Sequence, residues 1–191
     1  MGTYIVGITG ASGTIYGIRL LEALRASSGN TIHLVMTQQA ERTLAIENSR
    51  SLASVKALAD VVHDPRDLAA PVSSGSFRTD GMIVAPCSIK TAAAIAYSLN
   101  DNLLVRAADV CLKERRRLVL VVRETPLHLG HLRTLTQLAE IGAIILPPIP
   151  GFYAMPKTIE DIVDHTVGKA LDALGVPNET FARWRGPDGK T

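Results

Sequence analysis

At 191 residues the chain has the length of one domain, and its composition, 47% hydrophobic and 20% charged, suits a packed core and excludes a disordered chain. A formal net charge of +2, with one Trp, four Tyr and three Phe residues, does not favour nucleic acid or an acidic membrane as a partner. No apolar run is long enough to span a bilayer, residues 1–15 lack a signal-peptide pattern, and the two cysteines suit a reducing compartment, so we expect a cytoplasmic protein.

The predicted elements alternate between strands and amphipathic helices. Apolar, β-branched runs predict strands at 4–8, 31–36, 81–86, 117–122 and 143–148, and helical spacing of apolar residues predicts helices at 14–27, 91–99, 102–116, 131–142 and 158–175. The strands are hydrophobic almost throughout, which is typical of parallel strands covered on both faces. We therefore predict a doubly wound, parallel α/β sheet as one domain over residues 1–185, followed by a disordered tail at 186–191.

In such sheets, ligands bind at the carboxyl ends of the strands, where the strand order reverses. The first strand is followed by a glycine-rich stretch, GITGASGTIYG at residues 7–17. Its spacing is not that of a dinucleotide-binding loop, and no acidic residue follows the second strand, which ends at Thr37. Free N–H groups at the next helix suit a single phosphate monoester, although a plain strand-to-helix turn is the alternative.

A second cluster of hydroxyl groups follows the third predicted strand. PCSIKT at 86–91 places Ser88 and Thr91 at the start of an alanine-rich helix, and Thr37 adds a hydroxyl at the end of the second strand. Hydroxyl groups and backbone amides without metal-type ligands favour a cradle for flavin mononucleotide (FMN) over a metal site. Two longer loops, 64–80 and 147–156, are rich in Pro, Gly and Ser and are expected to be functional.

Six motifs in this order, GITGASGTIYG, SSGSF, PCSIKT, RAADVCLKERR, VVRETPLHLGHL and PGFYAMP, closely resemble those of the UbiX-type flavin prenyltransferases, from Met1 to about Trp184. The resemblance implies a flavodoxin-like fold, assembly as a homo-dodecamer, and metal-free transfer of a dimethylallyl group from dimethylallyl monophosphate to N5 and C6 of reduced FMN. The prenylated flavin then serves a partner decarboxylase of the UbiD type, in ubiquinone synthesis for the best-known branch.

The resemblance also implies roles for individual residues. Contacts to FMN are expected from Gly10, Ala11, Ser12, Thr37, Ser88, Ile89, Lys90, Thr91 and Arg123. Contacts to the allylic phosphate are expected from Tyr153 and Lys169, with Arg106, Lys113 and Glu124 lining the same pocket. Fixed cations and hydroxyl groups would stabilise the departing phosphate, and Glu124 is the candidate acid or base for the proton released at C6.

Three positions depart from the pattern of the family. Relatives usually have serine in place of Thr37, often arginine in place of Lys169, and in some members tryptophan in place of Leu68. Thr37 keeps the hydroxyl and Lys169 keeps the charge, although lysine lacks the planar fork of arginine. The aliphatic Leu68 removes an aromatic side chain that would stabilise positive charge.

Several residues also have simpler interpretations. Glu124 and Arg123 are also consistent with a simple surface ion pair. Lys113 is consistent with a solvated helix end, and Tyr153 with packing inside its loop. Cys87 is expected to be a small buried residue rather than a nucleophile, and His128 a residue at a helix start rather than a metal ligand with His131.

The acidic run Glu160–Asp164 loosely matches a metal-binding prenyl transfer motif, but Thr158 and Asp161 at its start favour a helix cap. Alternative functions are an FMN-binding accessory subunit of an aromatic-acid decarboxylase, a passive flavin-binding module, and a peptidyl-cysteine decarboxylase. The last depends on an early histidine, and residues 37–46 contain none.

Overall fold

A six-stranded parallel sheet forms the centre of the molecule, in a computed structural model that describes residues 1–27 and 29–186. The strands are β1 (Thr3–Ile8), β2 (Thr31–Met36), β3 (Val61–His63), β4 (Gly81–Cys87), β5 (Arg117–Val122) and β6 (Ile144–Ile145). The helices are α1 (Thr14–Ala26), α2 (Gln38–Glu47), α3 (Leu52–Lys56), α4 (Ile89–Ala96), α5 (Leu103–Lys113), α6 (Leu129–Glu140) and α7 (Ile159–Leu174), with a short 3₁₀ turn at Pro71–Ser73.

Helices cover both faces of the sheet, and each face has its own hydrophobic core. Val6, Ile83 and Val119 point to the face covered by α1 and α7. Their neighbours along the strands, including Met82 and Leu118, point to the face covered by α4, α5 and α6. This alternation explains why the strands are apolar almost throughout, since both sides of each strand are buried.

The strand order is β3-β2-β1-β4-β5-β6, and every pair of neighbours is parallel. The prediction of a doubly wound, flavodoxin-like α/β fold is therefore confirmed. The order reverses between β1 and β4, so the crevice for a ligand lies where these two strands end. Without β3, the five predicted strands have the order of flavodoxin; β3 extends the sheet at one edge.

Four elements differ from the prediction. The edge strand β3 was not predicted, because it has three residues and two of them, Val61 and Val62, are exposed. Helices α2 and α3 were not predicted either, since each buries only one or two residues against the sheet. The last strand is Ile144–Ile145 rather than 143–148, because the prolines that follow cannot donate to a strand ladder.

The final helix closes the face that α1 covers. Arg19 of α1 donates two hydrogen bonds of 2.9 Å to the carboxylate of Asp164 in α7. After α7, Arg183 donates to the carboxylate of Asp172 at 2.8 Å, and the guanidinium lies 5.0 Å from the centre of the Phe181 ring. Residues 180–184 therefore fold back along α7, and most of the predicted tail, 187–191, lies outside the described residues. Within the described ranges, no helix combines the length and the apolarity needed to cross a membrane.

Candidate functional site

Hydrogen bonds connect the residues at the carboxyl ends of the four central strands, β2, β1, β4 and β5. The hydroxyl of Thr9 donates to the carbonyl of Pro86 and accepts from the N–H of Ser88, both at 2.8 Å. The N–H of Thr37 donates to Ile8, and the N–H of Arg123 donates to Cys87, both at 3.0 Å. The residues that follow β2, β1, β4 and β5 therefore lie side by side at the point where the strand order reverses, as the sequence predicted.

The loop after β1 departs from the prediction in one respect. The carboxylate of Glu47, the last residue of α2, accepts hydrogen bonds from the backbone N–H groups of Gly13 and Thr14, at 2.9 and 3.2 Å. The prediction that the start of α1 offers free N–H groups to a phosphate is therefore wrong for Gly13 and Thr14. A carboxylate already lies at the positive end of this helix. Glu47 is also a residue that the sequence reasoning missed at this site.

Burial alone would raise the pKa of Glu47, but hydrogen bonds lower it below its usual value. They come from the Ser12 side chain and from Gly13 and Thr14. Ser12 is thereby fixed at the mouth of the crevice. Gly10 packs closely against Gln39, and a Cβ at that position would lie 2.5 Å from Cβ of Gln39, so the close approach of this loop to α2 requires glycine.

The start of α4 carries backbone donors that no carboxylate occupies. Ser88 caps the helix by accepting from the N–H of Thr91, and its hydroxyl donates to the Thr91 hydroxyl at 3.0 Å. Within the chain as described, no acceptor faces the N–H groups of Ile89 and Lys90. The Lys90 side chain points away to Asp101, at 2.9 Å. This helix start offers backbone donors and hydroxyl groups to an anion.

Thr37 and Arg123 flank the crevice on its two sides. The Thr37 oxygen caps α2 by accepting from Ala40, which leaves its O–H free to donate. Nε of Arg123 is buried, and it has no hydrogen-bond partner in the part of the chain that the structure describes. A buried guanidinium donor of this kind suits an anionic or carbonyl group of a ligand.

Glu124 follows Arg123, but the two side chains do not pair. No ion pair joins them among the described residues, and the Glu124 carboxylate accepts from the N–H of Thr125 at 3.1 Å. The interpretation as a simple surface ion pair is therefore wrong. A partly buried carboxylate without a cationic partner at a strand end is available for proton transfer.

Tyr153 and Lys169 lie at the surface beside α7. The Tyr153 hydroxyl is 3.1 Å from Nε2 of His165, and Lys169 follows His165 by one helical turn. The Tyr153 ring contacts Trp184 edge-on, with 5.8 Å between ring centres. The 147–156 loop thus places a phenol against His165, one helical turn from Lys169.

Arg106 and Lys113 lie on the other face of the sheet, with α5. Arg106 donates to the carbonyl of Ser73 at 3.0 Å and pairs with Asp109 at 2.9 Å, and Lys113 pairs with Glu114. Since α5 and α7 cover opposite faces, one chain does not bring these two cations to Tyr153 and Lys169. A single pocket with Tyr153 and Lys169 is therefore not formed within one subunit, and the roles expected of Arg106 and Lys113 stay predictions.

The simpler interpretations of three other features are confirmed. Cys87 is fully buried, and burial raises the pKa of its thiol to about 12. His128 caps α6 by accepting from Gly130 and His131. Thr158 and Asp161 form a capping box at the start of α7. In the described ranges, no group of three His, Cys, Asp or Glu side chains is arranged to hold a metal ion.

Comparison with known proteins agrees with this geometry. The model of the Flavoprotein family matches residues 2–171. The chain is 58% identical over 188 residues to the flavin prenyltransferase UbiX of Escherichia coli K12, covering 97% of this chain and 100% of that one. It is 57% identical to the UbiX of Thauera aromatica, covering 95% of this chain and 93% of that one.

The chain belongs to the UbiX family of flavin prenyltransferases.

Solved structures of this family superpose closely. A crystal structure of AnUbiX (PadA1) in complex with FMN and dimethylallyl pyrophosphate has a TM-score of 0.95 and 51% identity, covering 97% of this chain and 98% of that one. A dodecameric, FMN-dependent UbiX-like decarboxylase from E. coli O157:H7 has a TM-score of 0.94 and 49% identity, covering 96% and 100%. The FMN-dependent cysteine decarboxylase TvaF shares the fold, at 15% identity and a TM-score of 0.66.

Proposed function

We propose that this UbiX-family chain joins a dimethylallyl group from dimethylallyl monophosphate to N5 and C6 of reduced FMN. The observation that carries the proposal is the row of strand ends at which Thr37, Ser88 and Arg123 lie side by side, with a buried guanidinium nitrogen that has no partner among the described residues. The high identity to proteins named flavin prenyltransferase, and a close neighbour crystallised with FMN and a prenyl donor, support it.

FMN fits this row of donors. The free N–H groups of Ile89 and Lys90, with the Ser88 and Thr91 hydroxyls, would hold the flavin phosphate at the start of α4, because Glu47 fills the corresponding position at α1. Gly10, Ala11 and Ser12 would lie against the flavin, with Thr37 and Arg123 donating from either side. Bound reduced FMN supplies an electron-rich N5 as the nucleophile, so the protein needs no activated side chain.

The donor phosphate would bind at Tyr153 and Lys169. Negative charge grows on the phosphate as the bond to the allylic carbon breaks, and a phenol and an ammonium group held in place stabilise that charge. Closing the second bond, at C6, would add a proton to the double bond of the dimethylallyl group and release a proton from the ring. Glu124, partly buried and without a cationic partner among the described residues, would accept it.

We infer that Arg106 and Lys113 act in the site of a neighbouring subunit. They share one side of α5, seven residues apart, and lie on the opposite face of the sheet from Tyr153 and Lys169. A similar protein is described as dodecameric, and in a closed symmetric assembly the surface of each subunit packs against neighbouring copies. A homo-dodecamer would thus complete the site with cations from a second copy.

We also propose that the product passes to a UbiD-type decarboxylase in the cytoplasm. A prenylated flavin released by this chain requires a second protein that uses it. Both cysteines are free and buried, which suits a reducing compartment.

The decisive experiment is anaerobic incubation of the purified protein with reduced FMN and dimethylallyl monophosphate, followed by mass spectrometry of the extracted flavin. We expect a flavin heavier by one five-carbon unit, and a parallel reaction with the pyrophosphate identifies the preferred donor. Lys169→Met and Tyr153→Phe should slow the reaction at least tenfold, whereas Lys157→Met and Tyr97→Phe, exposed residues of the same types, should not. Unmodified FMN that stays bound would identify a passive flavin-binding protein instead.

A further inference from the structure

His165 is the only described side chain that hydrogen-bonds the Tyr153 hydroxyl. The distance from Nε2 to the phenol oxygen is 3.1 Å, and the two rings meet edge-on, 5.7 Å apart at an angle of 75°. Tyr153 lies in a loop without regular structure, whereas His165 lies in the middle of α7. The position of this phenol is therefore set by a helix rather than by its own loop.

The other ring nitrogen indicates which atom holds the proton. Nδ1 of His165 is buried and has no hydrogen-bond partner among the described residues. A buried N–H without an acceptor costs more than a buried lone pair without a donor, so the proton belongs on Nε2. Nε2–H then donates to the Tyr153 oxygen, and the phenol O–H is left free to point elsewhere.

Burial and the nearby positive charge keep the imidazole of His165 neutral. Burial, followed by the nearby Lys169, lowers the pKa of His165 below its usual value, so the ring is neutral at physiological pH. Lys169 lies four residues later, on the same side of α7. One helix face thus presents an imidazole that holds the phenol and an ammonium group next to it.

Residues 180–184, the C-terminal segment that follows α7, pack against the imidazole. Phe181 contacts the His165 ring edge-on, with 5.0 Å between centres and 82° between planes. Arg183, above the Phe181 ring and paired with Asp172, ties this segment to α7. The imidazole is therefore packed between the helix, the loop and the C-terminal segment, and its orientation is fixed.

We propose that His165 is a positioning residue for the prenyl donor: its Nε2–H holds the Tyr153 oxygen so that the phenol O–H donates to the phosphate of dimethylallyl monophosphate. This inference rests on the proposed function, in which Tyr153 and Lys169 bind that phosphate. His165 itself does not touch the substrate. Its effect is to remove the rotational freedom of the phenol before the donor arrives.

The test compares His165→Leu, which cannot donate, with His165→Gln, whose side-chain amide can. We expect His165→Leu to lower kcat/KM about tenfold, mainly through a higher KM for dimethylallyl monophosphate, and His165→Gln to restore most of the loss. In a Tyr153→Phe background, His165→Leu should cause little further loss, because the two residues act as a unit. His131→Leu is the matched control, since Nδ1 of His131 is also buried and has no partner in the described part of the chain, but His131 lies in α6.

Two results would overturn the role of His165. One is an equal loss from His165→Leu in the wild-type and Tyr153→Phe backgrounds; the other is a glutamine variant as impaired as the leucine variant.

Calorimetric titration of inorganic phosphate into the FMN-loaded protein gives a readout that does not require turnover. If the wild type makes no prenylated flavin but His165→Leu still weakens phosphate binding, the proposed reaction fails while the positioning role stands; unchanged phosphate binding contradicts the positioning role.

Discussion

The hydroxyl of Thr9 accepts a hydrogen bond from the N–H of Ser88 at 2.8 Å, across the point where the strand order of the sheet reverses. The same hydroxyl donates to the carbonyl of Pro86, also at 2.8 Å, and the Thr9 side chain is 1% exposed. One buried oxygen therefore connects the loop after β1 to the residue that caps α4. Both halves of the proposed flavin site depend on this connection.

Replacing Thr9 with valine should weaken both the fold and flavin binding. Valine has the shape of threonine but leaves the Ser88 N–H without its acceptor, which costs about 1–3 kcal/mol of the free energy of unfolding. We expect the Kd of FMN to rise several-fold as Ser88 loses its position. Urea unfolding and flavin fluorescence titration measure the two effects. Thr9→Ser, which keeps the hydroxyl, is the control, and a valine variant with native FMN affinity would separate this oxygen from the site.

Glu47 should stabilise the protein in a pH-dependent way. Its folded pKa lies below the ordinary value of 4.5, so its contribution is present above about pH 4.5 and is lost as the pH falls through the folded pKa. Glu47→Gln should lower the free energy of unfolding by about 1–2 kcal/mol at neutral pH, because the carboxylate no longer faces the start of α1.

Urea unfolding of the wild type and Glu47→Gln across this pH range measures that contribution. The difference between the two proteins should shrink below about pH 4.5. The control is Glu140→Gln, because Glu140 is exposed and makes no hydrogen bond with the described residues. A difference that does not change with pH would show that the charge of Glu47 has no role.

The positions of the strands and of the crevice were accessible from the sequence for a physical reason. Strands that are buried on both faces must be apolar, and polar side chains then mark the places where strands end, as Thr37, Ser88 and Arg123 do. The short strand β3 and helix α2 lacked that signal, because an edge strand and a surface helix bury few side chains.

Contacts between residues distant in the chain were not accessible in this way. Glu47 reaches Gly13 across 34 positions, and only the packing of α2 beside α1 brings them together. The capping threonine and acid at the start of α7 were predictable, since they lie three residues apart. Arg106 and Lys113 lie away from Tyr153 because α5 and α7 cover opposite faces of the sheet. The motif that contains Arg106 and Lys113 gives no information about which face α5 covers.

A pair of stacked histidines at the β2–β3 edge should make stability fall in mild acid. Nδ1 of His33 lies 2.9 Å from Nε2 of His63, and burial lowers the pKa of both rings. His63 lowers the pKa of His33 further, while Asp60 opposes the shift at His33 and Asp67 opposes it at His63. Because the folded values lie below 6.5, the stabilisation is present above pH 6.5 and is lost as the pH falls below it.

Thermal unfolding between about pH 8 and pH 5 measures this effect. The Tm of the wild type should decrease across the range, and that of His63→Gln should decrease less, because only one imidazole then resists protonation. His128→Asn, at an exposed helix cap, should follow the wild type. Parallel curves for His63→Gln and the wild type would contradict the prediction.

The two cysteines should be chemically inert in the folded protein. Burial raises the pKa of Cys87 to about 12 and that of Cys111 to about 11, so almost no thiolate is present at neutral pH. We expect no alkylation by iodoacetamide without denaturant, and Cys87→Ala should keep prenyl transfer within about twofold of the wild type. Loss of activity with an intact fold would mean that the thiol takes part in the reaction.

Gly168 in α7 should be required for the prenyl donor site although it contacts no substrate. A Cβ at this position would collide with the Phe181 ring and the Thr180 hydroxyl. Alanine favours a helix by about 1 kcal/mol over glycine, so Gly168→Ala should keep α7 intact and instead displace the C-terminal segment. Phe181 then no longer supports His165, and the KM for dimethylallyl monophosphate should rise several-fold.

The affinity for FMN should not change in this variant, because the donors proposed for the flavin lie at the strand ends and not on α7. Phe181→Ala, which removes the ring without a collision, should give the same rise in KM. Displacement of the segment is measured independently by trypsin, which should cleave after Arg183 faster once the pair with Asp172 is broken. If cleavage becomes faster while the KM for the donor stays constant, the C-terminal segment does not support the site, and the rigidity of Tyr153 comes from α7 alone.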